Sequence, residues 1–426
     1  MTGISPEGNG ARRLPTDWKS DVMQRRIATR YASERRFRAI GLGAIILSAG
    51  FLAFLIVSML GNGLSGFVRT EVAVEFDFPT APIVIDAATL QGGNADMVLS
   101  NANLPAVTSG AAKAALGKDA DTWIGSHAWL TVRDAIKRDP SILERRETLY
   151  LPGSADLDLA AKGEASAEAE AAYARLSEAG ATKSALNIDF LTASDATDPT
   201  QVGIWGALKG SLFTMLVTLA LSFPIGVLAA LYLEEYAPRN RWTDMIEVSI
   251  NNLAAVPSII FGLLGLAIFL NVMHLPRSAS LVGGLTLALM TMPVIVIAGR
   301  NAIKAVPPSI RDAALGIGAS PIQVVFHHVL PLALPGIMTG TIIGMARALG
   351  ETAPLLMIGM RAFIASPPGG ITDPATGLPV QIFLWSDEVS RGFVEKTSAA
   401  IIVLLVFLLG MNSIAIYLRN KFEKRW

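Results

Sequence analysis

The sequence has 426 residues, of which 52% are hydrophobic and only 16% charged, and this composition is typical of a membrane protein rather than a soluble domain. Its 35 basic and 35 acidic residues cancel, so no nucleic acid partner is indicated. It contains no cysteine, which excludes disulfides, thiol catalysis and cysteine-ligated metals, and its four histidines do not predict a metal site.

The hydrophobic runs predict an all-α polytopic membrane protein. A bilayer core needs roughly 20 apolar residues per helix, and six segments meet this requirement. We predict transmembrane helices at residues 40–60, 212–233, 250–270, 281–298, 332–360 and 399–418. Pro224 and Pro257 are expected to kink their helices. Four glycines predict close helix packing, namely Gly262, Gly265, Gly283 and Gly284.

Basic residues flank the first and last of these helices. The N-terminal tail, residues 1–39, carries six arginines between positions 25 and 38, just before the first span, and the tail at 419–426 contains Arg419, Lys421, Lys424 and Arg425. Because cytoplasmic flanks are enriched in Lys and Arg, we predict that both termini are cytoplasmic, with six crossings between them. The arginines either contact lipid or a partner, or serve only to orient the first helix.

Residues 61–205, called the insert below, have the composition of a soluble segment. Alternating apolar residues at Val72, Val74, Phe76 and Phe78 predict one or two strands, and residues 157–179 predict a surface helix. The insert is therefore of mixed α/β character and, on this topology, periplasmic. It either touches a solute-binding protein or acts as a spacer, and it contains no recognisable catalytic constellation.

A polar-ended segment at residues 307–336, called the coupling segment below, separates two apolar runs. Pro307 and Pro308 precede a helix that we predict over residues 309–317, and Gly318 permits a tight turn. Two Leu-Pro pairs then lead back into the apolar region. This pattern is typical of a short cytoplasmic helix that another protein grips.

The coupling segment resembles the EAA loop of ATP-binding-cassette importer permeases, with Asp312 in place of the usual glutamate. The resemblance implies a type I importer permease core at residues 206–418 and a loop that contacts a separate ATPase. Arg311 and Asp312 would pair with the ATPase rim. The complete set of coupling residues implied is Arg311, Asp312, Ala313, Ala314, Leu315, Gly318 and Ala319.

Arg347 and Glu351 are charged residues inside the fifth apolar segment. They are four residues apart, so on a helix they share one face and can pair. Each charge at a helix centre costs roughly 2.5 to 3.5 kcal/mol, which favours a role in transport, although a structural ion pair remains the alternative. Arg347 can bind an oxyanion, Glu351 can neutralise it between cycles, and Thr352 can add a hydroxyl. These three residues form the predicted substrate path.

The run from Ala346 to Pro354 resembles the phosphate-specific branch of these permeases, and more closely the PstA subunit type than PstC. The resemblance implies a bacterial inner membrane location and phosphate as substrate. It also implies three partners, namely a PstC-like second permease subunit, a PstB-like ATPase dimer and a periplasmic PstS-like phosphate-binding protein.

No phosphate-binding motif of the form G-x-x-x-x-G-K-[ST] occurs in the sequence. We therefore expect this chain to be a transporter subunit rather than an enzyme and to bind no cofactor, with ATP and Mg on the partner ATPase. Two alternatives stay open: a permease for sulfate, molybdate or a phosphonate, and a membrane sensor or scaffold.

Overall fold

The computed structural model describes residues 20–83, 95–361 and 363–422. The predicted tails at 1–39 and 419–426 therefore lie partly outside the described residues, Lys424 and Arg425 among them. The chain divides into two compact units, Met1–Ser58 and Met59–Trp426. The described part of the first unit is helical and belongs to helix α1 (Asp21–Leu64), in which Gly63 is the only buried residue.

The insert contains a small sheet with helices around it. In chain order its elements are β1 (Val68–Asp77), α2 (Ala95–Asn101), α3 (Leu104–Leu116), α4 (Ala120–Trp123), α5 (Trp129–Arg138), β2 (Arg146–Pro152), α6 (Ala155–Ala161), α7 (Ala167–Glu178), β3 (Thr182–Leu186) and α8 (Ile188–Thr192). Short 3₁₀ helices at Ser65–Phe67 and Pro140–Glu144 connect some of them.

Strand β1 lies at the centre of the three-stranded sheet and pairs antiparallel with both β2 and β3. Val72, Val74 and Phe76 are buried on one face of β1, as the alternation predicted. Val74, Phe76 and Leu151 of β2 form a core with α3 and α5. The single helix predicted over residues 157–179 is wrong, because the chain turns at Gly163, which has φ +76° and separates α6 from α7.

The apolar helices follow the insert. They begin with α9 (Trp205–Leu231), which continues as a π-helix at Tyr232–Tyr236. Then come α10 (Arg241–Ala254), α11 (Ser258–Gly265) with a π-helix at Leu266–Val272, α12 (Ser280–Lys304), α13 (Pro308–Gly316), α14 (Pro321–Gln323) with a π-helix at Val324–Val329, α15 (Leu330–Leu349), α16 (Ala353–Met357), α17 (Leu378–Ser386) and α18 (Gly392–Phe422).

In the described residues, five helical stretches are long and apolar enough to cross a membrane, or six if the bent pair of α10 with α11 and its π-helix counts as one. We predicted a span at residues 250–270 with a kink at Pro257, and the break is sharper than predicted, because the two helices meet at an angle of 100°. Pro257 stands at the break, where it has no N–H to donate and disfavours a helical conformation in the preceding residue. Pro224, in contrast, lies inside the continuous helix α9.

Helices α9 and α12 run in the same direction. Ser280 Oγ donates to Gly210 O at 3.3 Å near the start of both helices, and Arg300 Nε donates to Glu234 Oε1 at 2.5 Å near their ends. The connection between them, which contains the bent pair, must therefore return along the length of the bundle. We call the two ends of the bundle the insert-side end, at Gly210, and the coupling-side end, at Glu234.

Close approaches between helices occur at the glycines that the sequence singled out. A Cβ on Gly284 would lie 2.4 Å from Val217 Cβ, and one on Gly262 would lie 2.7 Å from Pro354 Cα. Similar contacts of 2.5 and 2.7 Å would form at Gly265 and Gly283. The predicted small-residue packing is confirmed, and it brings α11 against the segment that follows Arg347.

Candidate functional site

The coupling segment begins with a helix of the predicted kind. Helix α13 (Pro308–Gly316) starts directly after Pro307 and has proline at its first position, where the missing N–H costs no helical hydrogen bond. Gly318 follows with φ +90°, a left-handed conformation that favours glycine. The N–H of Gly318 donates to Leu315 O and that of Ala319 to Ala314 O, which closes the helix end.

The coupling segment is shorter than predicted. Ser320 caps the next helix through a capping box with Gln323, and one apolar helical stretch then extends over Pro321–Leu349. Residues 321–336, which we assigned to the loop, therefore already belong to this stretch. Pro331 stands at the first turn of α15 and Pro335 lies inside it, so the Leu-Pro pairs do not end the loop.

One side of α13 is fixed within the chain. The Arg311 guanidinium lies 2.7 Å from Glu235 Oε1 and also donates to the carbonyls of Val306 at 2.6 Å and Ile303 at 3.0 Å. Ala314 is buried in an apolar cluster at the coupling-side end. Arg311 and Ala314, predicted to contact an ATPase, are instead engaged by their own chain, and they anchor α13 to the end of α12.

The opposite side of α13 is free of contacts that would bury it. Asp312, Ala313 and Leu315 are exposed, as predicted for residues that meet a partner. Three large apolar side chains near them were missed: Ile317, Ile322 and Phe326 are 83%, 62% and 45% exposed. A large apolar residue directly before the turn glycine Gly318 is the sequence signal that could have identified Ile317. Together these residues form an apolar surface at the coupling-side end.

Two adjacent glutamates in the π-helix after α9 hold this end together. Glu235 binds Arg311, while Glu234 binds Arg300 of α12, whose guanidinium also lies 2.7 Å from Glu247 of α10. The side chains of Arg300 and Glu234 are only 11% and 12% exposed. The sequence did not single out either glutamate, because their partners lie 66 and 76 residues away along the chain.

Arg347 and Glu351 form the predicted ion pair, with Arg347 Nε 3.6 Å from Glu351 Oε1. The location differs from the prediction, since α15 ends at Leu349 and Glu351 lies beyond it. The pair is therefore at the insert-side end of α15 and not within a continuous helix. The Arg347 side chain is 49% exposed and that of Glu351 is 19% exposed, so the guanidinium remains accessible.

Thr352 and Pro354 lie where the chain starts the short helix α16. Thr352 is the residue before this helix, its side chain forms no capping hydrogen bond, and Pro354 stands in the first turn. The helix is thus interrupted between Leu349 and Ala353, before Pro354. Thr352 is half-buried and follows Glu351 directly, while the coupling segment lies at the other end of the same apolar stretch.

Two family profiles match the chain. Residues 24–171 match a domain of unknown function (DUF3333), and residues 222–426 match the binding-protein-dependent transport system inner membrane component. The first match covers α1 and most of the insert. The second covers the bent pair, the coupling segment and Arg347.

Several curated relatives align with roughly half of the chain. The chain is 34% identical over 174 residues to the probable ABC transporter permease protein YqgI of Bacillus subtilis, which covers 41% of this chain and 58% of that protein. It is 31% identical over 228 residues to the phosphate transport system permease protein PstA of Haemophilus influenzae, over 54% and 79% of the two chains. The PstA protein of Yersinia pestis is 30% identical over 214 residues, or 50% and 71%.

Among solved structures, the MetNI methionine ABC transporter in inward facing conformations is similar at a TM-score of 0.42 and 18% identity, over 52% of this chain and 98% of that one. The family match and the helical bundle define the class: the chain has the type I ABC importer permease fold, and such membrane subunits are not themselves enzymes.

Within this class, the chain belongs to the family of phosphate transport system permease proteins called PstA. It is accordingly a multi-pass inner membrane protein. The fold and family predicted from the coupling segment and the Arg347 run are confirmed.

Proposed function

We propose that this permease subunit of a phosphate importer forms one half of the translocation path and receives the work of ATP hydrolysis through α13. The observation that carries the proposal is the asymmetry of α13. Its inner side is fixed by the Arg311–Glu235 pair and buried Ala314, while Asp312, Ala313, Leu315 and Ile317 are left for a partner. A helix fixed in this way moves together with the bundle when a partner displaces it.

The partners follow from this arrangement and from the class. A PstB-like ATPase dimer would bind ATP and Mg and cover the apolar surface around Ile317. A PstC-like permease subunit would complete the path, and a periplasmic PstS-like protein would deliver phosphate. This chain would bind no cofactor of its own.

Arg347 is the residue that we propose to meet the anion. Its forked donors suit a phosphate oxyanion, and nearly half of its side chain is exposed. Glu351 contacts it through a single 3.6 Å approach and not through a bidentate pair, so phosphate could compete for the guanidinium. Glu351 then neutralises Arg347 when the anion leaves, and Thr352 offers a hydroxyl nearby.

The orientation that we propose places the coupling-side end in the cytoplasm and the insert in the periplasm. The parallel direction of α9 and α12 supports six crossings, because the bent pair has to return the chain to the insert-side end. With six crossings both termini are cytoplasmic, in agreement with the basic residues that flank α1 and α18.

Radiolabelled phosphate uptake tests the proposal in a strain that lacks only this chain. Expression of the chain should restore uptake, and unlabelled phosphate should compete, whereas sulfate and molybdate should not. Competition by sulfate or molybdate at similar concentrations would assign the permease to another oxyanion. Failure to restore any uptake, with the chain present in the membrane, would contradict the transport function.

A further inference from the structure

Four charged side chains meet where the insert contacts the insert-side end of α18. Lys162 Nζ lies 2.6 Å from Asp158 Oδ2 and 2.9 Å from Glu395 Oε2, and Lys396 Nζ lies 3.0 Å from Glu395 Oε1. The side chains are 16%, 11%, 7% and 3% exposed for Lys162, Asp158, Glu395 and Lys396. We call these four residues the insert lock. Its two cations and two anions balance.

The hydrogen bonds of the insert lock are well satisfied. The three protons of the Lys162 ammonium have three partners, namely Asp158, Glu395 and the carbonyl of Val68 at 3.1 Å. Lys396 Nζ donates to Gly66 O at 3.2 Å, and Asp158 Oδ1 accepts from Thr70 N at 2.7 Å. The lock thus binds the backbone at the start of the insert as well as α6.

Little space remains around the insert lock. The cavity beside it has a volume of about 20 Å³, room for roughly one water molecule. A Cβ on Gly66 would lie 2.8 Å from Ala399 Cβ, and one on Gly392 would lie 2.8 Å from the Pro199 ring. The insert and α18 therefore meet through close contacts on both sides of the charges.

Aromatic packing continues this contact into the core. The rings of Phe190 and Trp385 have centroids 6.3 Å apart, as do those of Trp385 and Phe393. Trp385 Nε1 also donates to Asp195 Oδ1 at 3.0 Å. One layer therefore joins α8 of the insert, α17 and α18.

We propose that the insert is a rigid extension of α18, held by the insert lock, and that the two move as one body during transport. A flexible spacer would have no need for buried ions, whereas a buried charged group specifies one arrangement because any other leaves it unpaired. The proposal assigns a mechanical role to a segment that largely coincides with the domain of unknown function. This proposal depends on the proposed transport function only where it states that the complex moves during transport.

Because the chain has no native cysteine, spin labels on two introduced cysteines can measure the distance between the insert and α18 directly. Glu178→Cys on α7 and Val406→Cys on α18 place labels on exposed sites of the two elements. Double electron–electron resonance should give one narrow distance in the nucleotide-free and in the ATP-trapped complex, with a shift below about 2 Å. A shift of one helical turn, about 5 Å, or a second population, would overturn the proposal.

The lock itself is tested by Lys162→Met in the labelled protein, with Lys118→Met, an exposed lysine of the insert, as the matched control. Lys162→Met should lose the single narrow distance and lose phosphate uptake, while Lys118→Met changes neither. An unchanged distance in Lys162→Met would show that the ions do not hold the insert. If the complex with the unmodified chain takes up no phosphate, the proposed transport function is contradicted. The distances measured in the isolated chain still test whether the insert lock holds the insert against α18.

Discussion

Arg347 is the residue on which the substrate proposal depends. Replacing it with Ala removes a charged donor whose hydrogen bond to an anion contributes about 1.5–3 kcal/mol, so we expect phosphate uptake to fall roughly 10- to 100-fold. The amount of protein in the membrane should not change, because the guanidinium is half exposed and, among the described residues, makes one ion contact. Uptake by membrane vesicles, normalised to the amount of subunit, measures the effect.

The matched control is Arg391→Ala, an exposed arginine just before α18. It should leave uptake unchanged. If Arg347→Ala instead fails because the complex does not assemble, the Arg347–Glu351 pair is structural, and the role of Arg347 in the substrate path is contradicted.

Asp195 is a half-buried carboxyl outside the membrane helices whose titration should affect stability. Burial raises the pKa of Asp195, and hydrogen bonds from the Trp385 indole N–H and the Ala196 N–H only partly oppose this. A raised pKa means that the folded state binds the proton more tightly than the unfolded chain. The tighter binding of this proton therefore stabilises the folded state fully below the ordinary Asp pKa of about 3.9. This stabilisation is lost as the pH rises through the raised pKa of Asp195.

Asp195→Asn should remove this dependence, because the amide oxygen still accepts from Trp385 without acquiring a charge. We expect the variant to be more stable than the unmodified protein above the raised pKa and to lose its advantage in acid. Thermal unfolding of the purified subunit at several pH values measures the difference. A constant difference between the two proteins across the pH range would contradict the assigned titration.

At the scale of elements, Gly318 determines how α13 ends. Its φ of +90° is unfavourable for other residues, by roughly 1–2 kcal/mol, although a Cβ would meet nothing within 4 Å. We therefore expect Gly318→Val to distort the turn and abolish uptake while the subunit remains in the membrane. Gly316→Ala is the matched control, since Gly316 is helical and equally uncrowded. Copurification of the ATPase should decrease only for Gly318→Val, and normal uptake by this variant would remove the turn from the coupling mechanism.

Local patterns predicted α13, its turn and the central strand of the insert well, since each depends on residues close together in sequence. The bend at Pro257 was recognised only as a kink, because the size of a bend depends on what packs on either side. The pairing of Arg311 with Glu235 was not predictable for the same reason. A resemblance identified Arg311 as a partner contact, whereas tertiary structure pairs it with a glutamate 76 residues away.

At the scale of the whole molecule, buried charges lie at the two ends of an apolar bundle. Glu234, Glu235 and their arginines tie α13 to α9, α10 and α12 at the coupling-side end. The insert lock fixes the insert to α18 at the other end. Between them, the stretch Pro321–Leu349 runs from the coupling segment to Arg347. A displacement of α13 can therefore reach the proposed anion site at Arg347 along one stretch of helix, without a separate relay.

The proposed topology can be tested with single cysteines, because the natural chain has none. Glu170→Cys probes the insert, Ile317→Cys the exposed side of the coupling segment, and Val272→Cys the end of the bent pair; the last two side chains are 83% and 71% exposed. In intact spheroplasts, a membrane-impermeant maleimide should label positions 170 and 272 but not 317. After permeabilisation, all three should react.

Position 272 distinguishes six crossings from five. If the bent pair crosses the membrane, residue 272 lies on the same side as the insert, as the parallel helices α9 and α12 require. If the pair only dips into the membrane and returns, residue 272 shares the side of residue 317 and stays unlabelled in intact spheroplasts. Labelling of residue 317 from outside would place α13 beyond the reach of any cytoplasmic ATPase, and the coupling proposal would then fail together with the orientation.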